Sequence, residues 1–215
     1  MANNSVIITS EKQPQKGQDH RSSNNFTTEQ FGKDSSLVFR TYYDYGTGDQ
    51  KVATDITYDI KVDKTGKDTT YLSDVRFGEC KKNTDNRNLY IADPQNAEKE
   101  FTVVVEMGVC MKSEKSALEG QKERSSENFS TKQFEGKKVI IKAYYDFGKD
   151  TQKFADKVTF DIKEDKPVLS DPTLLKNVGN GTTDSSKITG KKNVYIANPT
   201  GAEDSFTVVI TEAED

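Results

Sequence analysis

The chain repeats itself, and that fact limits its fold more than any other. Residues 10–31, SEKQPQKGQDHRSSNNFTTEQF, return at 113–134 as SEKSALEGQKERSSENFSTKQF, an offset of 103. TYYDYG at 41–46 returns as AYYDFG at 143–148, and QKVATDITYDIK at 50–61 as QKFADKVTFDIK at 152–163, both at 102. NLYIADP at 88–94 and FTVVV at 101–105 match NVYIANP at 193–199 and FTVVI at 206–210, both at 105. The small drift places insertions between matched blocks, as loops behave between fixed strands. The chain therefore reads as a tandem duplication, with repeats at 1–107 and 108–215, each of ordinary domain size. The join, FTVVVEMGVCMKSEK, holds one Gly and no Pro, so a short and stiff connection with Gly108 near the hinge is expected.

The matched blocks carry strand periodicity. In KVATDITYDIKV, Val52, Ile56, Tyr58, Ile60 and Val62 alternate with Ala53, Asp55, Thr57, Asp59 and Lys61, which predicts one buried and one wet face. In SLVFRTYYDYG the same rule groups Leu37, Phe39, Thr41, Tyr43 and Tyr45, matched by Val139, Ile141, Ala143, Tyr145 and Phe147. Arg40, Tyr42 and Asp44, with Lys142, Tyr144 and Asp146, then face outward. Turn chemistry separates the runs (GTGD at 46–49, DKTGKD at 63–68, NGT at 180–182). Helical signals are nearly absent; SALEGQKER at 116–124 could form a turn or two, interrupted by Gly120. The expected fold is all-β: two tandem β-sandwiches of Greek-key, immunoglobulin-like architecture, with six or seven strands each. With no Trp in the chain, the sandwich is an expectation of architecture and not of immunoglobulin ancestry.

Composition agrees with small, thin cores. Apolar residues make up 32% and charged residues 31% of the chain, lean for one large core. The formal charge of −4 mixes Lys and Arg with Asp and Glu, so there is no basic stripe for phosphate and nucleic acid is not an expected partner. No segment approaches the ~18 apolar residues of a spanning helix, so membrane insertion is not expected. The N-terminal run lacks the apolar core of a secretory signal. The expected setting is cytosolic at synthesis, part of an assembled particle, or outside the cell by a route the sequence does not show.

The inventory for catalysis is poor. His20 is the only histidine and aligns with Glu123, so no His-dependent site can be duplicated. No zinc spacing, P-loop or dinucleotide fingerprint occurs. Cys80 and Cys110 are not equivalent in the repeat. A bridge between them is open from sequence alone, and an inert buried thiol is expected at Cys110. The chain is accordingly read as a non-enzyme.

Two ligand chemistries stay open. Tyr42 beside Asp44, and Tyr144 beside Asp146, on the outward face, would suit sugar stacking with hydroxyl hydrogen bonds, or a protein contact. Asp44 with Asp49, and Asp146 with Asp150, bracket the two turns and could ligate calcium, the one cofactor considered; Asp93 and Asn198 end matching strands. The block RSSNNFTTEQF could cover the outward tyrosines. It also holds sequons, NFT at 25–27 and NFS at 128–130, with NGT at 180–182 a third; turn formation anchored by Phe26 and Phe129 is the simpler account. The leading expectation is a structural or interaction protein contacting its own copies or other subunits. The alternative is a bivalent, lectin-like module binding glycans with or without calcium.

Overall fold

The structure, a computed structural model, describes residues 5–10, 23–62, 69–83, 88–113, 125–164, 172–184 and 186–213. His20, the DKTGKD turn and SALEGQKER lie outside the described residues. Within them the fold is all-β with antiparallel sheets and no α-helix; two single 3-10 turns occur at Glu29–Phe31 and Lys132–Phe134. The chain divides into two compact units, Met1–Met107 with Gly148–Asp150, and Gly108–Phe147 with Thr151–Asp215.

The first unit contains β1 (Ser5–Ser10), β2 (Ser36–Tyr43), β3 (Lys51–Val52), β4 (Thr57–Val62), β5 (Thr69–Val75), β6 (Glu79–Lys82), β7 (Leu89–Gln95) and the start of β8 (Phe101–Ser113). One sheet runs β1-β8-β2-β3, with β6 beside the first half of β2. The other runs β5-β4-β7. They meet face to face: Leu37, Phe39, Phe101, Val103 and Val105 from one sheet are buried, as are Tyr58, Ile60, Leu89 and Ile91 from the other. Tyr58 lies across the gap from Phe101, ring centroids 5.8 Å apart, and its hydroxyl is 3.3 Å from Thr41 Oγ1.

The second unit repeats this plan. It begins with Gly108–Ser113 of β8 and continues through β9 (Val139–Tyr145), β10 (Lys153–Phe154), β11 (Thr159–Glu164), β12 (Thr173–Val178), β13 (Thr182–Asp184), β14 (Val194–Thr200) and β15 (Phe206–Glu212). The tail of β8 pairs with β15 as β1 pairs with β8, β15 pairs with β9, and β9 carries β10 and β13. The smaller sheet is β12-β11-β14. Phe160 against Phe206, 5.9 Å apart, reproduces Tyr58 against Phe101.

The structure corrects two expectations of periodicity. KVATDITYDIKV is not one strand. Lys51–Val52 belongs to the sheet of β2, and Thr57–Val62 to the opposite sheet. The crossing at 53–56 resets the alternation, so Val52 is 44% exposed while Ile56 and Ala53 are buried. In TYYDYG the strand stops at Tyr43, and Asp44 takes a positive φ of 51°. Asp146 does the same at 50°. That left-handed step, which Asp tolerates better than most residues, brings Tyr45 and Phe147 to the side of Tyr42 and Tyr144. Tyr45 is therefore exposed and not core, and Tyr144, expected to face outward, is buried.

The block at 23–31 does not cover the tyrosines. It runs along the outer side of β7, with Ser23 N–H donating to Ile91 O and Phe26 exchanging hydrogen bonds with Leu89. Phe31 in its 3-10 turn is buried, as is Phe134 in the second unit. Buried Asn83 holds the block, donating from Nδ2 to the carbonyls of Thr28 (2.9 Å) and Gly32 (2.8 Å).

Candidate functional site

The duplicated aromatic hairpin joins β2 to β3 and β9 to β10. In the first unit, Thr47 closes the turn: its N–H and its hydroxyl both donate to Asp44 O, at 3.2 and 2.7 Å. Gly46, at φ 77°, donates its N–H to Gln50 Oε1. Tyr43 reaches the loop before β8, where its hydroxyl accepts from Glu98 N–H at 3.4 Å. Lys99 Nζ sits 5.6 Å from the Tyr43 ring centroid and pairs with Asp44 Oδ2 at 2.5 Å. In the second unit, the Tyr145 hydroxyl accepts from Glu203 N–H at 3.1 Å. Its ring is again faced by a lysine at 5.6 Å, here Lys153. The tyrosine latch is thus kept in both repeats, while the cation comes from the loop before β8 in one and from β10 in the other.

The neighbouring ring is sandwiched differently in each unit. Tyr42 contacts Tyr45 (5.4 Å) and, edge to face, Phe77 (5.9 Å). Burial raises the Tyr42 phenol above its usual range, against the lowering influence of nearby Arg40. Tyr144 contacts Phe147 (5.1 Å) and stacks on Phe154 (5.0 Å). The register that sets Cys80 opposite Val38 and Thr183 opposite Ile140 puts Asn180 where the first unit has Phe77. Phe154 stands where the first unit has Val52. The aromatic partner has moved along the same strand edge, from Phe77 ahead of β6 in the first unit to Phe154 of β10 in the second.

Against the expected site, Tyr42 is half-buried and Tyr144 buried, so neither presents an open ring face. Asp44 is half-buried and ion-paired, while Asp49, Asp146 and Asp150 are exposed on their turns. Among the described residues no group of three or more His, Cys, Asp or Glu side chains is arranged to hold a metal. Asp93 and Asn198 sit at bulges within β7 and β14, at φ 49° and 50°. Asp93 pairs with Lys61, and Asn198 Nδ2 donates to Asp161 Oδ2 at 2.9 Å. Asp93 and Asn198 are thus tied to the neighbouring strands β4 and β11 at their bulges.

Sequence reasoning missed Val52 and Phe154. Among the described residues the exposed large hydrophobics are Ile7, Tyr45, Val52 and Phe154, at 54, 37, 44 and 52% exposure. Three of the four lie on the equivalent hairpins. The repeat does align Val52 with Phe154, but uninterrupted alternation assigned Val52 to the core.

Neither cysteine is a free thiol: Cys80 and Cys110 are both disulfide-bonded, and both are half-buried. The expectation of an inert thiol at Cys110 is corrected. The signal was hidden because each cysteine has a non-cysteine equivalent, Thr183 for Cys80 and Ile7 for Cys110. No family model, no curated protein and no solved structure matches this chain.

Proposed function

We propose that the protein is a non-catalytic interaction protein, two immunoglobulin-like Greek-key sandwich repeats that associate with further copies of the same chain. The contact is through the hairpins carrying Tyr45 with Val52 and Phe147 with Phe154. One observation carries the reading: exposed large apolar side chains concentrate on these equivalent hairpins. Strands β3 and β10 lie at sheet edges, where a second copy can add contacts. A duplicated chain offers the same patch twice, so weak contacts add by avidity. A net charge of only −4 opposes such association weakly. The test is sedimentation of the wild type and of a Val52→Asp/Phe154→Asp variant across a concentration series. The wild type should associate and the variant should sediment as a monomer with unchanged circular dichroism. A wild type that is monomeric at the highest concentration sinks the proposal.

The alternative is glycan binding at the same hairpins. The exposed rings of Tyr45 and Phe154 favour it, since an open aromatic face beside carboxylates suits a sugar. It predicts glycan-array signals lost in Tyr45→Ala/Phe154→Ala; absence of signal with and without calcium removes it.

A further inference from the structure

The sequons at 25–27 and 128–130 are left unexplained by association through the hairpins. Asn25 and Asn128 are exposed, as are Thr27 and Ser130, while the intervening Phe26 and Phe129 are half-buried. The Phe residues are fixed by paired backbone hydrogen bonds, Phe26 with Leu89 (2.7 and 2.8 Å) and Phe129 with Val194 (both 2.9 Å). Extended backbone at that position puts the asparagine and the hydroxyl residue on one outward side. Between repeats, the residue before the asparagine changes from Asn24 to Glu127 and the hydroxyl residue from Thr27 to Ser130, yet the acceptor pattern survives.

The third sequon behaves differently. Asn180 is half-buried; its Oδ1 accepts from Ala143 N–H at 3.2 Å and its Nδ2 donates to Asp156 Oδ1 at 2.9 Å. Thr182 Oγ1 accepts from Gly179 N–H at 3.2 Å. The hydroxyls of the loop sequons are hydrogen-bonded too, Thr27 Oγ1 accepting from Glu29 N–H at 3.2 Å and Ser130 Oγ donating to Lys191 O at 3.2 Å. The difference is that those sites are exposed, whereas Asn180 and Thr182 are half-buried. Independently, both cysteines are disulfide-bonded, a state that belongs to oxidising compartments, including the lumen in which asparagine-linked glycans are attached.

From this placement we infer that Asn25 and Asn128 are asparagine-linked glycan acceptors, one per repeat, and that Asn180 is not. The donor is a lipid-linked oligosaccharide diphosphate. A bond forms between the asparagine Nδ2 and sugar C1, and the C1–O bond to the diphosphate breaks. The lipid diphosphate leaves with the electron pair and takes up the amide proton. The glycans would stand on the outer side of β7 and β14.

The experiment uses protein recovered from the cells that make it, treated with peptide N-glycosidase in 18O water and mapped by peptide mass spectrometry. The expected result is 18O-labelled aspartate at 25 and 128, none at 180, and an intact mass above that of the polypeptide. Unmodified Asn25 and Asn128 with an intact mass equal to the polypeptide overturn the inference, as does labelling at 180 in their place. Labelling at only one loop site overturns the claim of one acceptor per repeat. A Thr27→Ala/Ser130→Ala variant from the same cells should lose both glycans, while Thr27→Ser retains the one at Asn25.

Discussion

Single residues decide what each face of these strands does, and Tyr58 is the clearest case. Its ring fills the space between the sheets, and its hydroxyl is fully buried beside that of Thr41. Burial holds the phenol well above the usual tyrosine range, against the lowering effect of the Thr41 hydrogen bond. In the unfolded chain a tyrosine ionises near pH ~10. Below that value Tyr58 is neutral in both states and has no effect on the pH dependence. Above it the unfolded state loses a proton that the folded state keeps, so stability falls as pH rises. The slope is about 1.4 kcal/mol per pH unit for one such group, and Tyr42, also raised by burial, adds in the same direction. Tyr58→Phe should cost about 1–2 kcal/mol at neutral pH by stranding the Thr41 hydroxyl. Its urea midpoint should then fall less steeply than that of the wild type between about pH 9 and 11; parallel curves would refute the assignment. The burial of Tyr58 was legible from alternation alone, since Ile56 and Ile60 stand two residues to either side and are buried with it. Tyr45 was not legible. One positive φ at Asp44 inverts the alternation, and many other residues at that position would have left the sequence pattern unchanged.

At the scale of elements, strands were easier to read than the points where they stop or bend. Ile56, Ile60 and Val62 are buried as alternation expects, but Val52 belongs to another sheet because the chain crosses over at 53–56. Nothing in KVATDI marks that crossing with Gly or Pro. The bulges at Asp74, Asp93, Asn177 and Asn198 are equally quiet, each a polar residue at positive φ within a strand. The turn after β7 and its counterpart after β14 show how the repeats reach one geometry by two routes. Asn96, at φ 60°, donates from Nδ2 to Asp55 O at 3.3 Å. Its equivalent Gly201, at φ 69°, comes so close that an added Cβ would lie 2.2 Å from Lys157 O. The backbone has closed over the space that the Asn side chain bridges. Gly201→Ala should therefore cost more than about 2 kcal/mol, because a backbone carbonyl must move as well as a strained φ be held. Gly136→Ala, at φ 74° with nothing within 4 Å of the added Cβ, should cost only about 1 kcal/mol. Urea denaturation of both variants gives the comparison, and equal losses would mean the turn relaxes freely.

For the molecule as a whole, the duplication was legible because it is written in blocks that strands and loops share. The disulfide state was not, because it breaks the repeat. Ile7 stands at the register position of Cys110 and Thr183 at that of Cys80, so neither repeat has a cysteine pair of its own. Reasoning from one repeat to the other therefore pointed to reduced thiols, whereas both are oxidised. Two measurements follow. A thiol reagent added to protein unfolded without reductant should find no reactive cysteine. Reduction should then lower stability, because an unfolded chain without its cross-link gains conformational freedom; for a loop of a few tens of residues the effect is about 2–4 kcal/mol. It would be read as a lower urea midpoint in reducing buffer, with cysteine blocked after reduction to prevent reoxidation. Reactive thiols in the unreduced protein, or midpoints that coincide, would refute the oxidised state and with it the setting in which the loop asparagines meet a glycan donor.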